Sequence, residues 1–195
     1  MGLTVVKPPA GTAEAACWIV GRLRAGRGFQ TRGALASAAP EEPLWLSTPH
    51  PVFNLGLDDL VPSATFDAVR MTGWRYIVQS RERALATVEF SASSHTDPPR
   101  FCRVTDGTMA ASVARAIGHA EHSAAVRKGR YVLGMVRIPE IHTYALWLRD
   151  DRANGVHDLF SVLKLSPLRS TVGTLLTRTK FMNQLAGIGV PRAGA

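Results

Sequence analysis

At 195 residues, 46% of them hydrophobic and 19% charged, the chain has the composition of a globular protein with a sizeable core, which excludes a disordered or fibrous chain. Two cysteines exclude a disulfide framework and lack metal-type spacing, while a formal net charge of +8 favours acidic or polyanionic partners. No apolar run is long enough to span a membrane, since the longest uncharged stretch, 43–57, is broken by Pro43, Pro49 and Pro51.

In chain order, Thr12 caps a predicted short helix over 13–25, with Ala16, Ile19, Val20 and Leu23 on one side and Arg22 and Arg24 off it. Glu14 in the first turn and arginines in the last agree with the helix dipole. From Gly26 to about Phe66 the periodicity disappears, and Pro40, Pro43, Pro49, Pro51 and Pro62 act as breakers. Yet this segment holds Leu44, Trp45, Leu46, Val52, Phe53, Leu55 and Leu57, which is too apolar for a linker. It reads as an extended strap lying on a surface of this chain or of a neighbour.

Segments 74–80 and 84–92 alternate apolar and polar residues and are split by Arg81, Glu82 and Arg83, which predicts a hairpin. A polar loop over 93–99 leads to a short strand at 100–104. The helix from Thr108 to about Arg127 carries Met109, Val113, Ala116, Ile117, Ala120 and Ala124 as its apolar stripe. Thr108 or Asp106 is its N-cap, and Gly129 fits a left-handed residue just past its end. The stretch 131–149 is apolar on both parities, so both its faces are expected to be covered. Pro139 and Glu140 mark a bulge, an edge or a break between two strands there. Asn154-Gly155 is a hairpin signal, after which 157–165 returns as a strand. Ser166 and Pro167 open a last helix, with Leu168, Val172, Leu175, Leu176, Met182 and Leu185 as its stripe and Arg169, Arg178 and Lys180 outside it.

These elements predict an α+β fold: an antiparallel sheet of about five to six strands packed with a central helix and a C-terminal helix, plus an extended N-terminal arm. Three parts follow: a helix and strap over 1–66, an α+β core over 67–165, and a basic C-terminal helix and tail over 166–195. Charge is segregated among them. Residues 1–40 hold five basic groups against one acid, residues 159–195 hold five basic groups and no acid, and the middle is close to neutral.

Each chemical motif has a plain competitor. His119 and His122 stand at i, i+3, a spacing that can grip a metal, but fall on the far side of the helix from its apolar stripe. Ser93, Ser94, His95 and Asp97 carry the letters of a hydrolytic triad, but residues so close in sequence cannot readily aim at one another, and a polar turn is the better reading. Cys102 on a strand reads as a small buried apolar residue, and Glu140 with His142 as an exposed polar pair. The Gly21–Gly26–Gly28 spacing lacks the lysine and hydroxyl of a phosphate loop.

The expected function is therefore non-enzymatic: an assembly protein that joins copies of itself, or a larger complex, through the apolar strap and the basic ends. Arg22, Arg24, Arg27, Arg32, Trp45, Phe53, Arg169, Arg178 and Lys180 are the expected partner or polyanion contacts. No catalytic, cofactor or metal residue is assigned. The alternatives are an enzyme or small-ligand binder with a pocket between helix 108–127 and the sheet, built on Cys102, Glu140 and His142, and sequence-indifferent nucleic-acid binding through the basic ends. With two cysteines and no signal-peptide pattern, the cytoplasm is the expected compartment.

Overall fold

The computed structural model describes residues 2–26, 34–35, 38–39, 41–47, 49–56, 69–81, 83–152, 157–164 and 174–187, the side chains of 106 and 164 apart. The elements are β1 (Leu3–Thr4), α1 (Thr12–Arg24), β2 (Trp45–Leu46), β3 (His50–Asn54), β4 (Arg70–Ser80), β5 (Arg83–Ser91), β6 (Arg100–Asp106), α2 (Thr108–His122), α3 (Ala124–Lys128), β7 (Tyr131–Ile138), β8 (Thr143–Asp150), β9 (Leu159–Lys164), β10 (Leu175–Thr177) and α4 (Arg178–Ala186). The fold is α+β, but among the described residues the sheet has ten strands and is mixed, which corrects the expectation of five to six antiparallel ones. The extra strands escaped the sequence because β1, β2 and β10 are two or three residues long, too short to show an alternation. No helix among the described residues is long and apolar enough to cross a membrane.

Two compact units interleave along the chain: Met1–Thr4, Val52–Arg70 and Ala116–Ala195 form one, Val5–Pro51 and Met71–Arg115 the other. In the second unit, Gly11 at φ 81° turns the chain into α1, and the Thr12 hydroxyl donates to the Pro9 carbonyl. Ala16, Ile19, Val20 and Leu23 then recur at helical spacing and share one core cluster with Tyr76 and Val78 of β4 and Leu85, Ala86, Val88 and Phe90 of β5. Leu35 and Ala38 are buried in the same cluster. β4 and β5 pair antiparallel, with Trp74 opposite Phe90, Tyr76 opposite Val88 and Val78 opposite Ala86. Gly73 faces Ser91, and a Cβ there would stand 1.9 Å from the Phe90 carbonyl oxygen, so only glycine lets the strands approach. β6 pairs with β5, and the register shifts between Glu89 and Phe90. β2 adds to β4 through Trp45 opposite Gln79.

The first unit is built around β7. On one side β8 pairs with it antiparallel from Tyr131–Asp150 to Ile138–Thr143. On the other side two short parallel strands follow end to end, β1 at Tyr131 and Val132, then β3 at Met135 to Arg137. The stretch 131–149 is thus two strands, parted by a 3₁₀ turn at Pro139–Ile141 and by His142 at φ 49°. β9 and β10 continue antiparallel from β8, and α4 packs beside both, burying Phe181 and Leu185.

Three local expectations are corrected. The strap does not lie over a surface throughout: Val52, Phe53 and Leu55 are buried, and the Leu55 amide donates to the Arg137 carbonyl, so β3 belongs to the sheet. The central helix breaks at Ser123 before α3, and Gly129 is extended (φ −99°) rather than left-handed. Its lack of a Cβ is needed because the Tyr131 ring would lie 2.3 Å from one. Leu175 and Leu176 belong to β10, and α4 starts only at Arg178, where Thr177 caps it by accepting from the Lys180 amide. Ser166, Pro167, Leu168, Arg169 and Val172 lie outside the described residues.

Candidate functional site

α1 buries one side and turns the other outward. Trp18 lies almost opposite the buried stripe and is 66% exposed, with the Arg22 guanidinium 5.6 Å from its ring centroid. A large ring exposed to water loses the burial that would stabilise it, and the arginine covers only part of it by a cation–π contact. Arg24 donates to the Ala39 carbonyl. β2 lies beside α1 and carries Trp45, 41% exposed, whose indole donates to the Gln79 side chain at 3.1 Å. Among the described residues the large exposed hydrophobics are Val5, Trp18, Trp45 and Phe101, all in the second unit.

Of the remaining expected contact residues, Phe53 is only 7% exposed: its ring stands edge-on to Trp147 at 5.1 Å, and Arg149 lies 5.7 Å from its centroid. It has little area left for a partner. Arg178 is half-buried and Lys180 exposed, both on α4, while Arg27, Arg32 and Arg169 lie outside the described residues. Trp18 went unnamed in the sequence reading, although its position off the Ala16–Leu23 stripe already placed it on the outer face.

Among the described residues, the polar constellations singled out from the sequence lie apart from one another. A groove of about 460 Å³ is lined by Met71, Thr72, Ser91, Ser93, Asp97 and Arg100, and no residue of α2 contributes to it. There the Ser93 hydroxyl and amide both donate to Asp97, while the Ser94 hydroxyl accepts from the Thr96 and Asp97 amides. The Ser93 and Ser94 hydroxyls hold the Asp97 carboxyl below its usual range. His95 takes no part in this, since its ring packs edge-on to Trp74 at 5.3 Å. Cys102 is exposed on β6, not buried as its strand position led one to expect, because that strand turns several consecutive residues outward. Glu140 and His142 are exposed at the 3₁₀ turn. His119 and His122 face outward, and His122 Nδ1 lies 2.7 Å from the Gly118 carbonyl. No cluster of three metal-type ligands occurs among the described residues.

Two buried charge groups brace the strands instead. Glu89 of β5 accepts from buried Arg75 of β4 and, at 2.8 Å, from Arg103 of β6, so one carboxylate ties three strands. In the first unit, buried Asp158 accepts from the Trp147 indole and the Asp150 amide, each at 2.8 Å. Burial raises the Asp158 pKa above the ordinary carboxylate value, and those two donors only partly oppose it. Asp150 is lowered, first by the Arg152 amide it accepts.

These neighbours must therefore titrate with opposite sign. The fold prefers protonated Asp158, so that contribution is present below the unfolded value near 3.8 and is lost as pH rises through the raised folded value. The Asp150 contribution is present above 3.8 and is lost as pH falls through its lowered folded value. Urea unfolding from about pH 3 to about pH 7 should show wild type losing ground to Asp158→Asn as pH rises, and gaining ground on Asp150→Asn. Parallel trends for the two variants would refute the assignment. No family model matches the chain, and neither a curated protein nor a solved structure matches it.

Proposed function

We propose that the protein is a non-enzymatic interaction or assembly protein, which joins copies of itself or a larger complex through the outward side of α1 and the neighbouring β2. The observation that carries this reading is Trp18, 66% exposed on a helix whose opposite side is fully packed, with Arg22 beside it. Tryptophan and arginine are the residues most enriched among those that dominate binding energy at protein interfaces. Trp45 extends the same aromatic chemistry onto β2. A solvated tryptophan with no partner exposes apolar area that a docked surface would cover. The basic groups of the two chain ends add long-range attraction to an acidic surface, which salt would screen.

Removal of residues 1–66 would disrupt the fold itself, because α1 fills a core and β1 and β3 pair with β7. Point changes on the outer face leave that packing intact. Light scattering of the full chain should give a mass above the monomer. The double variant Trp18→Ser, Trp45→Ser should return it to the monomer with an unchanged circular dichroism spectrum. A wild-type monomer at low and high salt, with no co-purifying protein, would overturn the proposal and turn attention to the groove beside Ser93 and Arg100.

A further inference from the structure

Glu14, Trp18 and Arg22 recur at i, i+4 and i+8 along α1, and all three are exposed. We propose that this row docks on the same row of a second copy of the chain, the two α1 helices running antiparallel about a two-fold axis at Trp18. The inference rests on the outer face of α1 being the interaction surface, and it names the occupant of that surface.

Symmetry and charge together select this occupant. Helical rise places Trp18 midway between an acid and a base, each about 6 Å away along the axis. In a two-fold interface, a residue that meets another is met by it in return. Turning a second α1 end for end over Trp18 therefore sets Glu14 of each chain against Arg22 of the other, with the two indoles at the centre. A parallel copy would set Glu14 against Glu14 and Arg22 against Arg22, and juxtaposed like charges oppose association. The helix dipoles agree, because an antiparallel pair brings each positive N-terminus beside a negative C-terminus. Rows at i, i+4 are also the ridges by which packed helices most often interlock. On the next row Cys17 and Gly21 are small and exposed, and a Cβ at Gly21 would meet nothing within 4 Å. A second indole thus has room beside the first.

The other charges around α1 leave this match intact. Neither Glu14 nor Arg22 joins an ion pair among the described residues, and Arg22 stands over the Trp18 ring. Arg24, the remaining charge on the helix, donates to the Ala39 carbonyl, and Glu42 accepts from the Ser80 hydroxyl. Lys7 and Glu41 lie off the helix, exposed and opposite in sign. The neighbouring β2 carries no charge, while β4 and β5 meet the buried side of α1. Arg27 and Arg32 lie outside the described residues. Their positive charge would make a loss of binding in salt ambiguous, so the test exchanges sign at two positions instead.

Sedimentation equilibrium of the full-length protein should give a dimer. Glu14→Arg and Arg22→Glu are each expected to weaken it by about tenfold, because the two-fold axis applies every change twice. The double variant Glu14→Arg, Arg22→Glu should associate like wild type, since the exchanged charges match again. An equimolar mixture of the two single variants should form a mixed dimer, each chain then carrying the charge its partner lacks. Arg115→Glu, an equal charge change on exposed α2, should leave the dimer unaltered. Circular dichroism checks the fold of every variant. If a reversed chain does not fold, Glu14→Gln and Arg22→Gln should still weaken the dimer, by about threefold each. Single variants that dimerise like wild type, a double variant and a mixture that stay monomeric, or equal loss in Arg115→Glu would overturn the inference. Any of these results alongside association that Trp18→Ser abolishes would leave α1 as an interface for a different partner. A wild-type monomer would overturn the inference and the reading beneath it together.

Discussion

Replacing Gly73 by alanine should destabilise the protein by about 3 kcal/mol, at the upper end of what an overpacked site costs. The added methyl would stand 1.9 Å from the Phe90 carbonyl oxygen, 3.0 Å from the Phe90 carbonyl carbon and 3.2 Å from the Ser91 Cα. All three are backbone atoms, so no side chain can swing aside to relieve the contact. β4 and β5 would have to part where Trp74 faces Phe90, and Phe90 belongs to the cluster that α1 covers. For a chain of this length the loss corresponds to a fall of roughly 6–12 °C in melting temperature. Calorimetry of the full chain measures it, and a variant that melts with wild type would show that the strands separate there at no cost.

The second large effect is expected at Phe160, in the first unit. This residue is fully buried between two near-parallel rings, Trp147 at 6.2 Å and 9° and Phe181 at 4.4 Å and 5°. Phe160→Ala removes both faces of the stack and leaves a void that Trp147 cannot readily fill, because Asp158 holds its indole at 2.8 Å. The Arg149 guanidinium further restrains that ring at 5.6 Å. The expected cost is about 3–5 kcal/mol in denaturant unfolding, with loss of near-ultraviolet dichroism from Trp147. Phe160→Leu should recover more than half of it. A loss below about 1 kcal/mol for the alanine variant would mean that the stack collapses without penalty.

The parts of the fold that rest on local pattern were legible in the residues. Ala16, Ile19, Val20 and Leu23 are the side chains α1 buries, and the alternation over 74–80 and 84–92 became β4 and β5. The two-sided apolar character of 131–149 corresponds to strands whose residues are almost all buried. What stayed hidden depends on distant contacts. β3 contains Pro51 and no clean alternation, and it is ordered by β7: Asn54 accepts from Arg137, 83 residues away. Leu175 and Leu176 fit a helical stripe by spacing, but a ladder with β9 claims them first. Gly129 resembled a helix end and is instead kept small by the Tyr131 ring. The exposure of Trp18 followed from its angle on the helix, whereas the exposure of Phe101 and Cys102 required knowing that β6 ends the sheet order.

The parallel pairing of β1 with β7 has a consequence for the order in which the chain can fold as it is made. Leu3 and Thr4 are synthesised before the second unit, yet their partners Tyr131 and Val132 are synthesised only after every residue of it. The second unit can therefore close while the opening strand of the first still waits. The entropy of that wait grows only slowly with the length of chain between the partners, so it weighs little on final stability. It weighs on speed: the first unit is completed by contacts between its most distant segments, and such ladders are the late events of folding.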